Sequence, residues 1–303
     1  MLRVQPSDTL SSLELETLAN MARDGLGDLQ FVASNAQDVE RALGQGWAAK
    51  LLEFRNQDGK VFEAVLDSMA GYTRCGEACA YFQRLAAAQG VVFRFGSQEG
   101  CFDALITEQQ DKGEKATGIV TKDGKKHFAD TVVIAAGSFS TQILPQLSYH
   151  LESSAGSIAT FKIEPSNTAL WHKYSPQNFP VVTWKSLPRT DGKDVGSIYA
   201  LPRTEDGLLK IGYRGIKFTN FQPAPECASF SQQGMWSIPL PREQSQQLPA
   251  EAVDAIKRFV SMFLPEFDRV PFHSTRLCWY TDTLDNSFLV RRFFARFPCV
   301  RSS

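Results

Sequence analysis

Long apolar runs, an excess of basic residues and paired cysteines are all missing from this sequence, and each absence removes a class of protein. No stretch approaches the ~18 to 20 apolar residues that a membrane-spanning helix needs, and the opening MLRVQPSDTL lacks the apolar core of a signal peptide. An intracellular protein with no membrane partner is therefore expected. Lysine and arginine total 32 against 33 aspartates and glutamates, a formal net charge of −1. That balance gives no pull towards nucleic acid, and no basic run interleaved with aromatics appears. The six cysteines, Cys75, Cys79, Cys101, Cys227, Cys278 and Cys299, form no CxxC pair, so neither a disulfide framework nor a zinc site is indicated. Cys75 and Cys79 lie one helical turn apart without a nearby histidine and read as core packing rather than metal ligands.

A genuine dinucleotide fingerprint is missing too. Gly44-Gln-Gly46-Trp-Ala-Ala49 spells GxGxxA, but the AQDVERAL before it is helical and polar rather than a buried strand, so the match is a loop between helices.

What is present is a chain of 303 residues, 43% hydrophobic, long enough for a large core divided between two domains. Its organising stretch is ADTVVIAAGSFSTQIL, Ala129 to Leu144. Thr131 to Ala136 is short, β-branched and without a polar face, as a parallel strand buried on both faces requires. Gly137 ends it, and Ser138 or Ser140 caps a helix through Leu144 before Pro145. A glycine at the carboxyl end of such a strand lets a nucleotide approach the backbone, although an ordinary strand-to-helix turn explains these letters equally well.

Helical spacing marks Thr9 to Leu18, Gln37 to Leu52 with Asn35 as its cap, Thr73 to Gln89, and Ala250 to Leu264. The first two read as surface helices. Val91 to Phe95 reads as a strand, and Gly118 to Thr121 pairs through a turn with Lys125 to Phe128 as a hairpin. Past Pro145 come short alternating runs, Ser157 to Ile163, Phe179 to Trp184, Gly196 to Leu201 and Leu208 to Tyr213, with turn signals at Pro165, Pro180, Pro188 and Asp206-Gly207. They predict a mostly antiparallel sheet, entered near residues 148–156, and Thr275 to Tyr280 resumes as a strand.

Two stretches carry candidate chemistry. On a strand, Lys210, Gly212 and Arg214 share one face, so two cations without an intervening acid suit an anionic substrate or cofactor; solvated charges on an outer face are the bland alternative. Cys278 lies between Leu277 and Trp279, where an apolar strand favours a buried, inert thiol, while Arg276 on the same face would favour a reactive thiolate.

With these residues in place, the chain resembles the flavin-dependent amine oxidases of the sarcosine oxidase and fructosyl amino acid oxidase family, with a D-amino-acid-oxidase-like fold. The resemblance runs from about Asp67 to Val290. It rests on the helix-Gly-Val91 unit, the Ala129 to Ser140 segment, LLKIGYR and RLCWYTDTLDNSFLV, in the family's order. The last is the most specific: the family pattern Cys-x-Tyr-Thr-x-Thr-x-Asp-x-x-Phe is matched by Cys278, Tyr280, Thr281, Thr283, Asp285 and Phe288. The resemblance implies a two-domain α/β fold with FAD as cofactor and Cys278 bonded to the flavin 8α carbon. It makes Lys210 the catalytic lysine that assists reaction with molecular oxygen, and places Ala135, Ala136 and Gly137 against the cofactor. The substrate would be a small secondary amine or N-substituted amino acid of sarcosine, fructosyl amino acid, pipecolate or saccharopine type.

Departures from the family refine that expectation. Where sarcosine oxidases place a histidine and fructosyl amine oxidases a glutamate, this chain has Arg214. An arginine binds a carboxylate in bidentate fashion, which brings a dicarboxylic amine such as saccharopine into range. The family's opening GxGxxG unit and its glycine-rich closing segment have no counterpart in these residues. The resulting expectation is an FAD-binding α/β domain incomplete at both ends, joined to an antiparallel substrate domain, and a polypeptide that binds FAD weakly or not at all and shows negligible oxidase activity. On this reading residues 1–150 are a helical region and part of the FAD domain, 151–275 the substrate domain, and 276–303 a return with a divergent tail. Two rivals are a non-catalytic protein that binds a small anion without flavin, and an NAD-dependent dehydrogenase, which the missing fingerprint weakens. Relatives are often peroxisomal, but Arg301-Ser-Ser303 is not an SKL-type ending, which leaves cytoplasm or peroxisome.

Overall fold

The computed structural model describes residues 1–110, 113–185, 197–225, 234–283, 285 and 287–290. In chain order the elements are β1 (Leu2–Val4), α1 (Ser12–Arg23), β2 (Gln30–Val32), α2 (Ala36–Gly44), β3 (Ala64–Asp67), α3 (Cys75–Ala88), β4 (Phe102–Gln110), β5 (Gly113–Thr121) and β6 (Lys126–Phe128). They continue with α4 (Ser140–Ile143), β7 (Leu151–Lys162), α5 (Thr168–Lys173), β8 (Val182–Lys185), β9 (Ser197–Ala200), β10 (Leu208–Phe218), β11 (Phe221–Pro223), β12 (Met235–Ser237), α6 (Ala250–Phe263) and β13 (Ser274–Thr283). This is the mixed α/β fold that the sequence predicts. Pro188, Cys227, Cys299 and the tail from Arg291 lie outside the described residues.

The chain divides into two compact units. One gathers Met1–Tyr72, Ala155–Phe218 and Pro241–Cys278; the other gathers Thr73–Ser154, Thr219–Leu240 and Trp279–Ser303. These cuts run differently from 1–150, 151–275 and 276–303, because β1 pairs in parallel with β8 and carries the opening residues into the sheet of the first unit.

That sheet has eight strands in the order β13-β7-β10-β9-β8-β1-β3-β2. Neighbours from β7 through β10 and β9 to β8 are antiparallel, as are β1, β3 and β2. The alternation read from the sequence decides which face is dry. Leu209, Ile211 and Tyr213 of β10, Phe161 and Ile163 of the β7 region, and Ile198 and Ala200 of β9 are all buried in one cluster. Helix α6 closes that face, its stripe of Ala252, Ala255, Ile256, Phe259, Val260 and Phe263 falling at helical spacing. Phe259 and Phe263 stack at 4.5 Å between ring centroids, and Trp184 meets Phe263 at 5.3 Å.

The opening was expected as surface helices alone, and three short strands were missed there. Arg3 pins them: its guanidinium reaches Glu14 of α1 at 2.7 Å, Asp67 of β3 at 3.0 Å and Gln30 of β2 at 2.8 Å. The Asn35 cap forms as expected, its side chain accepting from the Gln37 and Asp38 N–H groups, but α2 stops at Gly44 rather than continuing to Leu52. Gly44 is the last residue of α2 and Ala48–Lys50 a short helical turn, so the GxGxxA letters follow a helix rather than a strand.

In the second unit β4, β5 and β6 form an antiparallel meander. Its β5–β6 turn is locked by the Asp123 carboxylate, which accepts from the Thr121 hydroxyl at 2.6 Å and the Lys125 N–H at 3.3 Å. The Thr121 hydroxyl first, and then Lys125, hold the Asp123 carboxyl down at about 2.

Three expectations fail in this unit. Thr131 to Ala136 is not a strand buried on both faces: Thr131, Val133 and Ala135 are exposed, Val133 by 80%. Val91 to Phe95 is not a strand either, with Val92 and Phe95 exposed. A strand exists through its hydrogen-bonded neighbours, and among the described residues neither segment is paired in any sheet, so β-branched composition alone does not make a strand here. Cys75 and Cys79 do not pack in a core. Helix α3 forms close to where it was expected, but none of its residues is buried, and both thiols are exposed along with Tyr81, Phe82 and Leu85.

Candidate active site

Strand β10 presents Lys210 and Gly212 on one face because its other face is committed to the core. With Leu209, Ile211 and Tyr213 buried, pleating turns Lys210 and Gly212 to the opposite side, and Arg214 follows just after the last regular pair, Tyr213 with Ser157. Lys210 is half-buried and Arg214 exposed, so the two cations predicted to share a face are placed on one strand, with the ladder's regularity ending between Tyr213 and Phe218.

Register carries that face to the thiol. Lys210 pairs directly with Thr160 of β7, and directly opposed residues of an antiparallel pair point the same way. The Thr160 hydroxyl meets the Ser274 hydroxyl of β13 at 2.7 Å, and the His273 N–H donates to the Thr160 carbonyl at 2.8 Å. Ser274, Arg276 and Cys278 alternate along β13 and are exposed, whereas Leu277 is buried. Lys210 and Cys278 therefore lie on the same face of the same sheet. Two strand spacings and four residues of rise separate their backbones by roughly 16 Å.

Cys278 is accordingly an exposed thiol, not the buried inert one that its apolar neighbours suggested. The apolar letters around it serve Leu277, which faces the other way. Thr283 and Asp285, two further letters of the same motif, have a structural explanation of their own. Asp285 accepts from the Ser287 N–H at 3.1 Å while Thr283 donates to the Ser287 carbonyl at 2.9 Å, closing a turn. The Ser287 N–H, and after it Thr283, hold the Asp285 carboxyl below its ordinary range.

One residue of the face escaped the sequence reading. Tyr199 of β9 is the registered partner of Gly212, and its ring occupies the space where a side chain at 212 would stand: a Cβ there would come within 2.2 Å of the ring. The Lys210 ammonium lies 6.0 Å from the centre of that ring. A glycine inside the run KIGYR was the available signal, since glycine in a strand interior marks a close approach.

Ala135, Ala136 and Gly137 belong to the other unit. Gly137 has φ +54° and opens a single turn of helix that runs on into α4, with open space where its Cβ would be. Ser138 and Ser140 are buried beside it, and the Ser153 hydroxyl donates to the Ser138 carbonyl at 2.7 Å. The positive φ is a conformation that glycine adopts without strain.

FAD can be tested against these residues directly. A ring system tethered through sulfur requires a reachable thiol on an uncrowded face, with a cation farther along to meet developing negative charge; Cys278 and Lys210 meet both requirements. Among the described residues no long glycine-led helix follows a strand, so the residues present fit the ring end of the cofactor better than its pyrophosphate.

The residue pattern of a family described as FAD dependent oxidoreductase matches residues 10–298. L-Saccharopine oxidase of Schizosaccharomyces pombe is 24% identical over 247 residues, which cover 75% of this chain and 49% of that protein. Among solved structures, the deglycating enzyme fructosamine oxidase from Aspergillus fumigatus (Amadoriase II) superposes with a TM-score of 0.67 at 22% identity, covering 96% of this chain and 59% of that one. Fructosyl amine:oxygen oxidoreductase (Amadoriase I) from the same organism gives a TM-score of 0.68 at 22% identity, covering 97% and 58%. These structures share the fold. The chain spans about half the length of the curated relative it matches.

Proposed function

The chain belongs to the family of FAD dependent oxidoreductases, and from that premise we propose that it serves the oxidation of a secondary amine or N-substituted amino acid, with molecular oxygen as acceptor. The observation that carries this reading is the placement of an exposed Cys278 and a half-buried Lys210 on one sheet face. FAD, when bound, supplies the two-electron acceptor through which the amine becomes an imine and oxygen becomes hydrogen peroxide; water then hydrolyses the imine.

The chain's own residues do three things. Cys278 holds the cofactor through its sulfur. Lys210 keeps a fixed positive charge over the face, which lowers the energy of oxygen anions as they form. Arg214 takes a substrate carboxylate by paired N–H donors. Saccharopine, a secondary amine with carboxylates at both ends, matches that chemistry, and the likeness to an L-saccharopine oxidase supports the same substrate class. No helix among the described residues is long and apolar enough to cross a membrane. The thiols of Cys75, Cys79, Cys101 and Cys278 are all unpaired, which favours a reducing compartment, cytoplasm or peroxisome.

The test is anaerobic mixing of the flavin-loaded protein with saccharopine, sarcosine, pipecolate and a fructosyl amino acid. Bleaching of flavin absorbance by at least one, followed by peroxide on admitting air, is the expected result. No bleaching by any secondary amine would overturn the reading.

A further inference from the structure

We propose that Tyr199 is a positioning residue for Lys210, seated on the functional face by Gly212. The proposal takes its meaning from the oxidase reading of Lys210, but it stands on contacts within a single unit. Gly212 and Tyr199 are registered partners on β10 and β9. A Cβ at 212 would lie 2.2 Å from the ring Cζ, 2.4 Å from Cε1 and 2.4 Å from the hydroxyl oxygen. The ring thus lies down across the glycine instead of standing away from the sheet. Lys210, two residues before Gly212 on the same face, has its ammonium 6.0 Å from the ring centre.

Sterics rather than attraction set the effect. At 6 Å a cation sits at the outer reach of an aromatic face, so the electrostatic gain is at the low end for such pairs. What the ring adds is a wall. A lysine has four rotatable bonds, and a flat ring lying across Gly212 removes the rotamers that would enter that space, leaving the ammonium over the ring at its outer reach. For a cation that must meet charge at one place, lost freedom before the reaction is an advantage. The three residues then form one device: the glycine makes room, the ring fills it, and the lysine ammonium stands over the ring.

The test needs no flavin. The chain is acetylated with limiting N-hydroxysuccinimidyl acetate at fixed pH, and modification of Lys210 is read by mass spectrometry as a ratio to Lys162. Four proteins are compared: the wild type, Tyr199→Phe, Tyr199→Leu and Gly212→Ala, the last moving the ring without altering either partner. Losing the wall should raise the Lys210 ratio roughly two- to fivefold in Tyr199→Leu and in Gly212→Ala, about what freeing one or two three-well torsions allows. Tyr199→Phe should keep the wild-type ratio. An unchanged ratio in Gly212→Ala overturns the proposal, and so does a Phe variant that behaves like Leu, since the hydroxyl rather than the ring would then be responsible. Failure of the amine test leaves this ratio untouched, so the two ideas fall separately.

Discussion

The hydroxyls of Thr160 and Ser274 meet at 2.7 Å across β7 and β13, and this contact fixes the face on which Cys278 emerges. A one-residue slip of β13 would exchange Leu277 for Cys278, burying the thiol and exposing the leucine. Burial of Leu277 is what makes that slip unfavourable, by about 1.5 to 3 kcal/mol for one aliphatic side chain. The exposure of the thiol thus rests on the packing of its neighbour.

Cys278 should be the point of covalent attachment. In the flavin-loaded protein, acid precipitation should leave flavin fluorescence with the pellet, and Cys278→Ala should release it to the supernatant. Covalent flavin retained by the alanine variant would remove Cys278 from the role. Leu277→Ala offers a second check, because a loosened β13 should lower the labelled fraction without removing the sulfur.

Much of this was legible in the letters, and the parts that were not have physical reasons. The alternation in Leu208 to Tyr213 and the stripe in Ala250 to Leu264 were readable because each element buries one face within its own unit. β1, β2 and β3 were invisible because strands of three or four residues carry too few alternations to register, and their cohesion comes from Arg3 meeting Glu14, Asp67 and Gln30 across the sequence. Thr131 to Ala136 failed in the opposite sense. Its letters are those of a buried strand, but pairing is a property of two segments, and composition reports only one. For Cys278 the neighbours misled, since on a strand adjacent residues face opposite ways.

Phe259 should be the most sensitive position in the helix that closes the core. It is fully buried, stacks on Phe263 at 4.5 Å and lies near Trp184 at 6.4 Å. Phe259→Ala removes a ring from a packed cluster and should cost about 3 to 5 kcal/mol. Urea unfolding followed by circular dichroism should show the loss as a lower midpoint. A change below about 1 kcal/mol would mean that α6 is not closing the sheet as described.

Acid sensitivity of the first unit should run through Glu266. Burial raises its carboxyl pKa, but hydrogen bonds from Lys173 and from the Tyr174 hydroxyl, the latter at 2.7 Å, outweigh burial and leave it below the ordinary glutamate range. A carboxylate whose folded pKa is lowered contributes stability that is fully present above its unfolded pKa and disappears as pH falls through the folded value. Urea midpoints measured from about pH 6 down to about pH 3 should therefore fall less steeply for Glu266→Gln than for the wild type. Equal slopes would show that the pair with Lys173 is solvent-screened and without effect.

Lys210 and Arg214 should separate the two halves of the reaction. They stand four residues apart on one strand, yet only Lys210 lies within the regular ladder, walled by Tyr199, whereas Arg214 is exposed where the register breaks. A fixed cation is suited to oxygen anions, and an exposed, forked one to a carboxylate that arrives from solvent. In the flavin-loaded protein, Lys210→Met should slow reoxidation by air by about 10²- to 10³-fold, the usual consequence of removing one fixed stabilising group, and change anaerobic reduction much less. Arg214→Ala should do the reverse. Its loss of a charge-assisted pair should raise the KM for a dicarboxylic amine by about 10- to 100-fold, with little change for an amine that lacks the second carboxylate. Stopped-flow absorbance reads both halves in one instrument. If Lys210→Met weakened amine reduction while reoxidation stayed fast, the lysine would belong to the substrate and the arginine would have to be assigned anew.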